Sequence, residues 1–138
     1  MSMRTYLLLL YEKETGLDYW VDAITRRGLS AIRDDVLGAC KFSALPDPMM
    51  CEAIQAITGL AVTPDDLTRV VRRTYLRGYR IERRQGFTPA DYVMPADVHQ
   101  PNPAIELPYF NTPMFFETLK GRVLARFDEM LVEEGLAV

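Results

Sequence analysis

With two cysteines and one histidine in 138 residues, the chain cannot close a zinc site, and it cannot carry an iron–sulfur cluster on its own thiolates. So few cysteines also exclude a disulfide framework of the secreted kind and make a reducing cytoplasm the default location. Positive charge is not in surplus. A net charge of −3 argues against a general nucleic-acid binder, because neutralising phosphates needs a basic excess. Long hydrophobic runs are missing as well: residues 6–11 are apolar but give way at once to Glu12, Lys13 and Glu14, far short of a bilayer span, and no small-residue cleavage site follows. That stretch reads as a buried N-terminal helix ending near Gly16. No run alternates apolar and polar residues as a half-buried strand would, and there are no repeats, no phosphate-cradling glycine loop and no serine or cysteine triad. What is present, 49% hydrophobic and 25% charged residues, is ordinary for a globular protein. The expectation is an all-α single domain of six or seven helices, with no membrane segment.

The apolar spacing places those helices. Leu17, Trp20, Val21 and Ile24 recur three and four apart, with Arg26 and Arg27 where cations suit a helix C-terminus and Gly28 as the break. Ser30 is positioned to cap a third helix running to Leu37. After a proline-containing loop, Met50, Ala53, Ile54 and Ile57 define a helix over residues 49–58. Thr63-Pro64-Asp65-Asp66 is a strong start signal, combining an N-cap hydroxyl, proline at the first helical position and acids in the first turn. That helix runs to about Arg77, or through Gly78 to Arg84. Five prolines between 95 and 113 favour extended backbone; His99 lies there with no neighbouring partner for general-base work. Thr112-Pro113 opens a helix that stops near Gly121, and Val123, Leu124, Phe127, Met130 and Leu131 form a last amphipathic face ended by Gly135. The domain, 1–138, thus divides into N-terminal helices (1–29), a helical core (30–94), the proline-rich segment (95–113) and C-terminal helices (114–138).

One stretch carries chemistry. Asp35-Val36-Leu37-Gly38-Ala39-Cys40-Lys41-Phe42 brings a carboxylate, a glycine and a thiol together at the end of a helical pattern. A carboxylate accepts a planar donor edge side by side, a glycine lets backbone approach a ligand, and a thiolate binds soft metals. A helix end with a buried structural cysteine is the commoner meaning of so short a string. Cys51 reads as a cysteine on the following helix, with metal ligation as the alternative.

The string resembles the Asp-x-x-Gly-x-Cys signature in the C-terminal part of the aldehyde ferredoxin oxidoreductase family. The order downstream agrees: Thr58-Gly59, Thr63-Pro64-Asp65-Asp66-Leu67, Gly78-Tyr79-Arg80-Ile81, then Gly86-Phe87-Thr88-Pro89-Ala90-Asp91-Tyr92-Val93-Met94-Pro95. The likeness covers about residues 30–132. It implies the family's C-terminal helical domain, a tungsten- or molybdenum-bis-pterin and a 4Fe-4S cluster in the complete enzyme, and oxidation of an aldehyde to a carboxylate with electrons passed to ferredoxin. Asp35, Gly38 and Ala39 would match the pterin-contacting turn and Cys40 the fourth cluster ligand; the family offers no ligand at Cys51. The departures are equally specific. The family's Cys-x-x-Cys-x-x-x-Cys run is absent, as is its Tyr-Tyr-x-x-Arg-Gly-Trp-Asp series. One thiolate cannot hold a four-iron cluster, so the chain alone is expected to bind no cofactor and to be inactive. It needs the missing N-terminal domain or a larger catalytic subunit, and it should expose an apolar face around residues 35–42 for that partner or for a second copy.

Seven arginines lie between positions 69 and 84. Arg69, Arg73, Arg77, Arg80 and Arg84 fall on one stripe of the helix, with Arg72 and Arg83 at its margin, opposite Leu67, Val70, Val71 and Tyr75, and with only Leu76 among them. Guanidiniums grip carboxylates and phosphates in a fork, so this is a candidate anion or partner surface. The alternatives are a solvated face neutralised by neighbouring acids or a cofactor-free interaction module, and the family resemblance implies for Arg80 a structural ion pair rather than a catalytic role.

Overall fold

The computed structural model describes residues 16–40, 42, 45–95 and 113–137. The N-terminal helix expected before Gly16, His99 and nearly all of the proline-rich segment lie outside them. Among the described residues there is no strand, and no helix is long and apolar enough to cross a membrane. The elements are α1 (Leu17–Asp22), a π-helical segment (Ala23–Arg27), α2 (Gly28–Ala31), α3 (Arg33–Leu37), α4 (Asp47–Thr58), α5 (Pro64–Arg84), a 3₁₀ turn (Pro89–Asp91) and α6 (Pro113–Glu133).

The spine is α5, 21 residues long and so about 31 Å from end to end. Its start follows from local chemistry: the Thr63 hydroxyl accepts the Asp66 N–H at 3.1 Å while the Asp66 carboxylate accepts the Thr63 N–H at 3.2 Å. This reciprocal cap, with Pro64 behind it, satisfies donors the helix cannot. The Thr63 hydroxyl also donates to the Asp66 carboxylate at 2.6 Å, and this bond, then the one from the Thr63 N–H, with Arg69 nearby, holds the Asp66 carboxyl below its ordinary range. Gly78 lies inside the helix, which runs unbroken to Arg84.

The two halves of α5 serve different cores. Leu76 and Tyr79 join Trp20, Ala23, Leu29, Leu119, Val123, Phe127, Met130, Leu131 and Leu136 in the larger one. Leu67 and Val71 join Met50 and Cys51 in a smaller one, against Ile32, Val36, Leu37, Ala39 and Ile54. The spine and α6 run antiparallel. Arg72 meets Glu133 near one end, and further along the Tyr79 hydroxyl donates to Asp128 at 2.9 Å, with Tyr75 and Tyr79 both stacked at an angle on Phe127. Asp18 on α1 pairs with Arg122 on α6.

Three expectations need correction. Gly28 does not end a helix: it is right-handed helical, and the chain continues from α1 through the π segment into α2. A mid-helix glycine costs about 1 kcal/mol, less than burying Leu29 returns, and Leu29 is in the larger core. Ser30 consequently lies within α2, and α3 begins after Ile32. Gly121 likewise interrupts nothing, because Leu119 and Val123 on either side are both core residues of one continuous α6. Gly135 does act as the stop, with φ +64°.

Candidate functional site

The motif sits where α3 meets the smaller core. Leu37 is the last helical residue, and Gly38 takes the left-handed conformation, φ 67° and ψ 22°. Its N–H donates to the Asp35 carbonyl at 3.3 Å, and the Ala39 N–H donates to the Asp34 carbonyl at 2.7 Å, so the helix end is satisfied by backbone alone. Ala39 packs with Val36 and Leu37 on the smaller core. The chain then leaves the surface: Cys40 is exposed and Phe42 is 91% exposed. Asp35 and Gly38 are exposed too. Cys51, by contrast, is buried on α4 in the smaller core. The structure therefore presents Asp35, Gly38 and Cys40 on one short exposed turn and keeps Cys51 away from solvent.

A Cβ built on Gly38 would meet nothing within 4 Å, so backbone strain is the only local term. Gly38→Ala is expected to cost about 1 kcal/mol, read as a shift of the urea midpoint, with Asn at the same position costing less. A loss several times larger would show that the turn is packed against something.

What holds the turn is a residue pair that sequence reasoning passed over. Arg33 is buried and forms a clamp. Its Nε and Nη2 donate to Asp34 Oδ1 at 2.9 and 2.7 Å. Nη2 also donates to the Leu45 carbonyl at 2.8 Å, and Nη1 pairs with Asp47. One guanidinium thus joins α3 to both the approach and the first residue of α4, closing the base of the loop that carries Cys40. Burial alone would push the Arg33 guanidinium down, but its bonds to Asp34 and Asp47 outweigh that and raise it above its ordinary value. A signal existed: Arg33 lies four residues after Leu29 and four before Leu37, on a face where the pattern calls for an apolar side chain.

The other face of this clamp lines a cleft of about 320 Å³ between the helices, floored by Leu29, Leu67, Val71 and Met130 and edged by Arg26, Arg33, Arg72 and Arg126. Every one of these arginines is engaged. Arg26 pairs with Asp22, Arg72 with Glu133 and Glu134, and Arg126 with Glu129 and Glu133. The motif residues Asp35, Gly38, Ala39 and Cys40 do not line the cleft.

The arginine stripe is divided. Arg69 pairs with Asp66 at 2.5 Å, and Arg73 pairs with Glu134 at 3.1 Å. Arg77, Arg80 and Arg84 have no ion-pair partner among the described residues, and Arg80 Nε is buried without an acceptor. The ion pair expected of Arg80 is not found among the described residues: Asp66, Glu133 and Glu134 pair with arginines of the first half of the helix, while Asp128, which reaches the second half, accepts from the Tyr79 hydroxyl. Leu76 fell among the arginines by spacing yet is the most buried side chain of the helix, because α2 and α6, which pack on α5 and share its larger core, cover a wider arc of it than a narrow stripe would suggest.

Among the described residues no group of three His, Cys, Asp or Glu could hold a metal ion. Cys40 fits the role of a single thiolate ligand, exposed on a clamped turn. The remaining thiolates of a cluster would have to come from outside these residues, since the only other cysteine is Cys51.

No curated protein and no solved structure matches the chain. A family model does: that of aldehyde ferredoxin oxidoreductase, domains 2 and 3, matches residues 20–133, a span that includes the motif turn, the Arg33 clamp, all of α5 and all of α6. The chain belongs to the aldehyde ferredoxin oxidoreductase family, in the part that forms its second and third domains.

Proposed function

We propose that the chain is the C-terminal cofactor-binding module of an aldehyde ferredoxin oxidoreductase-like enzyme, working in the cytoplasm with a larger catalytic domain or subunit and inactive without it. The observation that carries this reading is the Gly38 turn, which delivers Cys40 to the surface while Cys51 is buried. Cys40 would hold a 4Fe-4S cluster by one thiolate, the other ligands coming from the partner. Asp35 would accept the donor edge of a pterin, with the backbone at Gly38 and Ala39 open to close approach. A tungsten or molybdenum bis-pterin would supply the two-electron chemistry that turns an aldehyde into a carboxylate, and the cluster would pass the electrons singly to ferredoxin. This chain's own work is positioning: the Arg33 clamp fixes the turn, and Phe42, 91% exposed two residues beyond Cys40, faces the partner that covers the site.

The test is anaerobic affinity capture of the tagged chain from its native cells, with metal analysis and visible absorption of the captured material. A larger partner bearing tungsten or molybdenum and an iron–sulfur band is expected. Cys40→Ala should remove that band and leave the partner and the urea midpoint of the chain unchanged. Capture of a metal-free chain, or an unaltered band in the variant, would overturn the assignment.

A further inference from the structure

Half of the arginine stripe lacks the carboxylates that neutralise the other half. Arg69, Arg72 and Arg73 meet Asp66, Glu133 and Glu134. From Arg77 onward the arginines of this helix have no ion-pair partner among the described residues, and Arg83 donates to the Phe87 carbonyl. Arg77, Arg80 and Arg84 recur at spacings of three and four and so form one row about 10 Å long. Val70 and Ile81, both about half exposed, sit on the same side of the helix.

We propose that Arg77, Arg80 and Arg84 form a docking face for an acidic protein surface. Three observations select this occupant. The patch lies on an outward helix face and none of its residues lines the cleft, so a small free anion would find no enclosure. The protein as a whole carries a net charge of −3, which disfavours a polynucleotide because its phosphates would meet a repelling field beyond the patch. The guanidiniums stand beside exposed aliphatic side chains, the mixture that protein interfaces use and a phosphate backbone does not. The inference is independent of the cofactor assignment, because it uses none of the residues from Asp35 to Phe42.

The probes are two synthetic peptides with equal numbers of glutamates, one spaced by serine and one by leucine, together with inorganic phosphate and a short DNA duplex. Binding to the full chain is followed by fluorescence anisotropy for the labelled peptides and duplex and by calorimetry for phosphate. Both peptides should bind, the leucine-bearing one more tightly, with affinity falling as salt rises. Arg77→Gln/Arg80→Gln/Arg84→Gln should weaken both by about tenfold or more. Arg69→Gln, which removes an already paired cation, should change them by less than about twofold. Because Arg80 is partly buried, the double variant Arg77→Gln/Arg84→Gln guards against misfolding and should give an intermediate loss. Absence of peptide binding, equal losses with Arg69→Gln, or tighter binding of phosphate or duplex than of either peptide would overturn the proposal.

Discussion

Replacing Arg33 by alanine should destabilise the chain by about 3–5 kcal/mol, because it leaves a buried carboxylate without its counter-ion. The Arg33 side chain is 10% exposed and that of Asp34 is 5% exposed, so solvent cannot take over the pairing. Two more acceptors, the Leu45 carbonyl and Asp47, lose the same donor. The loss is to be read from urea unfolding of the variant, followed by far-ultraviolet circular dichroism. Removing both partners tests the mechanism: Arg33→Met/Asp34→Leu puts apolar groups of similar length where the charges were and should recover most of the stability. If Arg33→Ala alone costs less than about 1 kcal/mol, the clamp does not hold the turn. A second readout separates stability from positioning. In Arg33→Ala, Cys40 should react with a thiol reagent at an altered rate, because the loop base that orients it is open.

Leu76→Ala should cost about 2–5 kcal/mol, the range for a fully enclosed leucine whose surroundings cannot collapse into the space left. Leu76 is 0% exposed and stands in the larger core with Trp20, Tyr79, Phe127 and Leu131. Three elements distant in sequence converge there, so relaxation of one is resisted by the others. Val70→Ala on the same helix removes a half-exposed side chain and should stay within about 0.5 kcal/mol. Equal effects from the two would mean that α5 is not held as the central spine.

Features decided by neighbouring residues could be read in advance. The start of α5 is one, since Thr63, Pro64 and Asp66 make their bonds within one turn. The stops at Gly59 and Gly135 are others, both with positive φ, because a left-handed residue past a helix end is a local preference of glycine. The helical place of Cys51 followed from the same local signals, whereas the exposure of Cys40 did not, a buried cysteine being the commoner meaning of so short a string. The motif turn itself was legible as a helix end, whereas its support was not. Arg33 looks like a surface charge until Leu45 and Asp47, more than ten positions further along, are seen beneath it.

By itself the sequence determined the all-helical class, the strong caps and the place of the motif at a helix end, because each depends on residues within a turn or two of one another, and it determined the family, because the order and spacing of motifs along the chain need no tertiary contact to be read. Only the tertiary structure decided that Gly28 and Gly121 are continuous helix, since the burial of Leu29, Leu119 and Val123 outweighs a glycine's local cost. It also decided which arginines are neutralised. Glu133 and Glu134 lie some sixty residues from Arg72 and Arg73, and only the antiparallel packing of α6 on α5 brings those charges to one end of the spine and leaves Arg77, Arg80 and Arg84 without them.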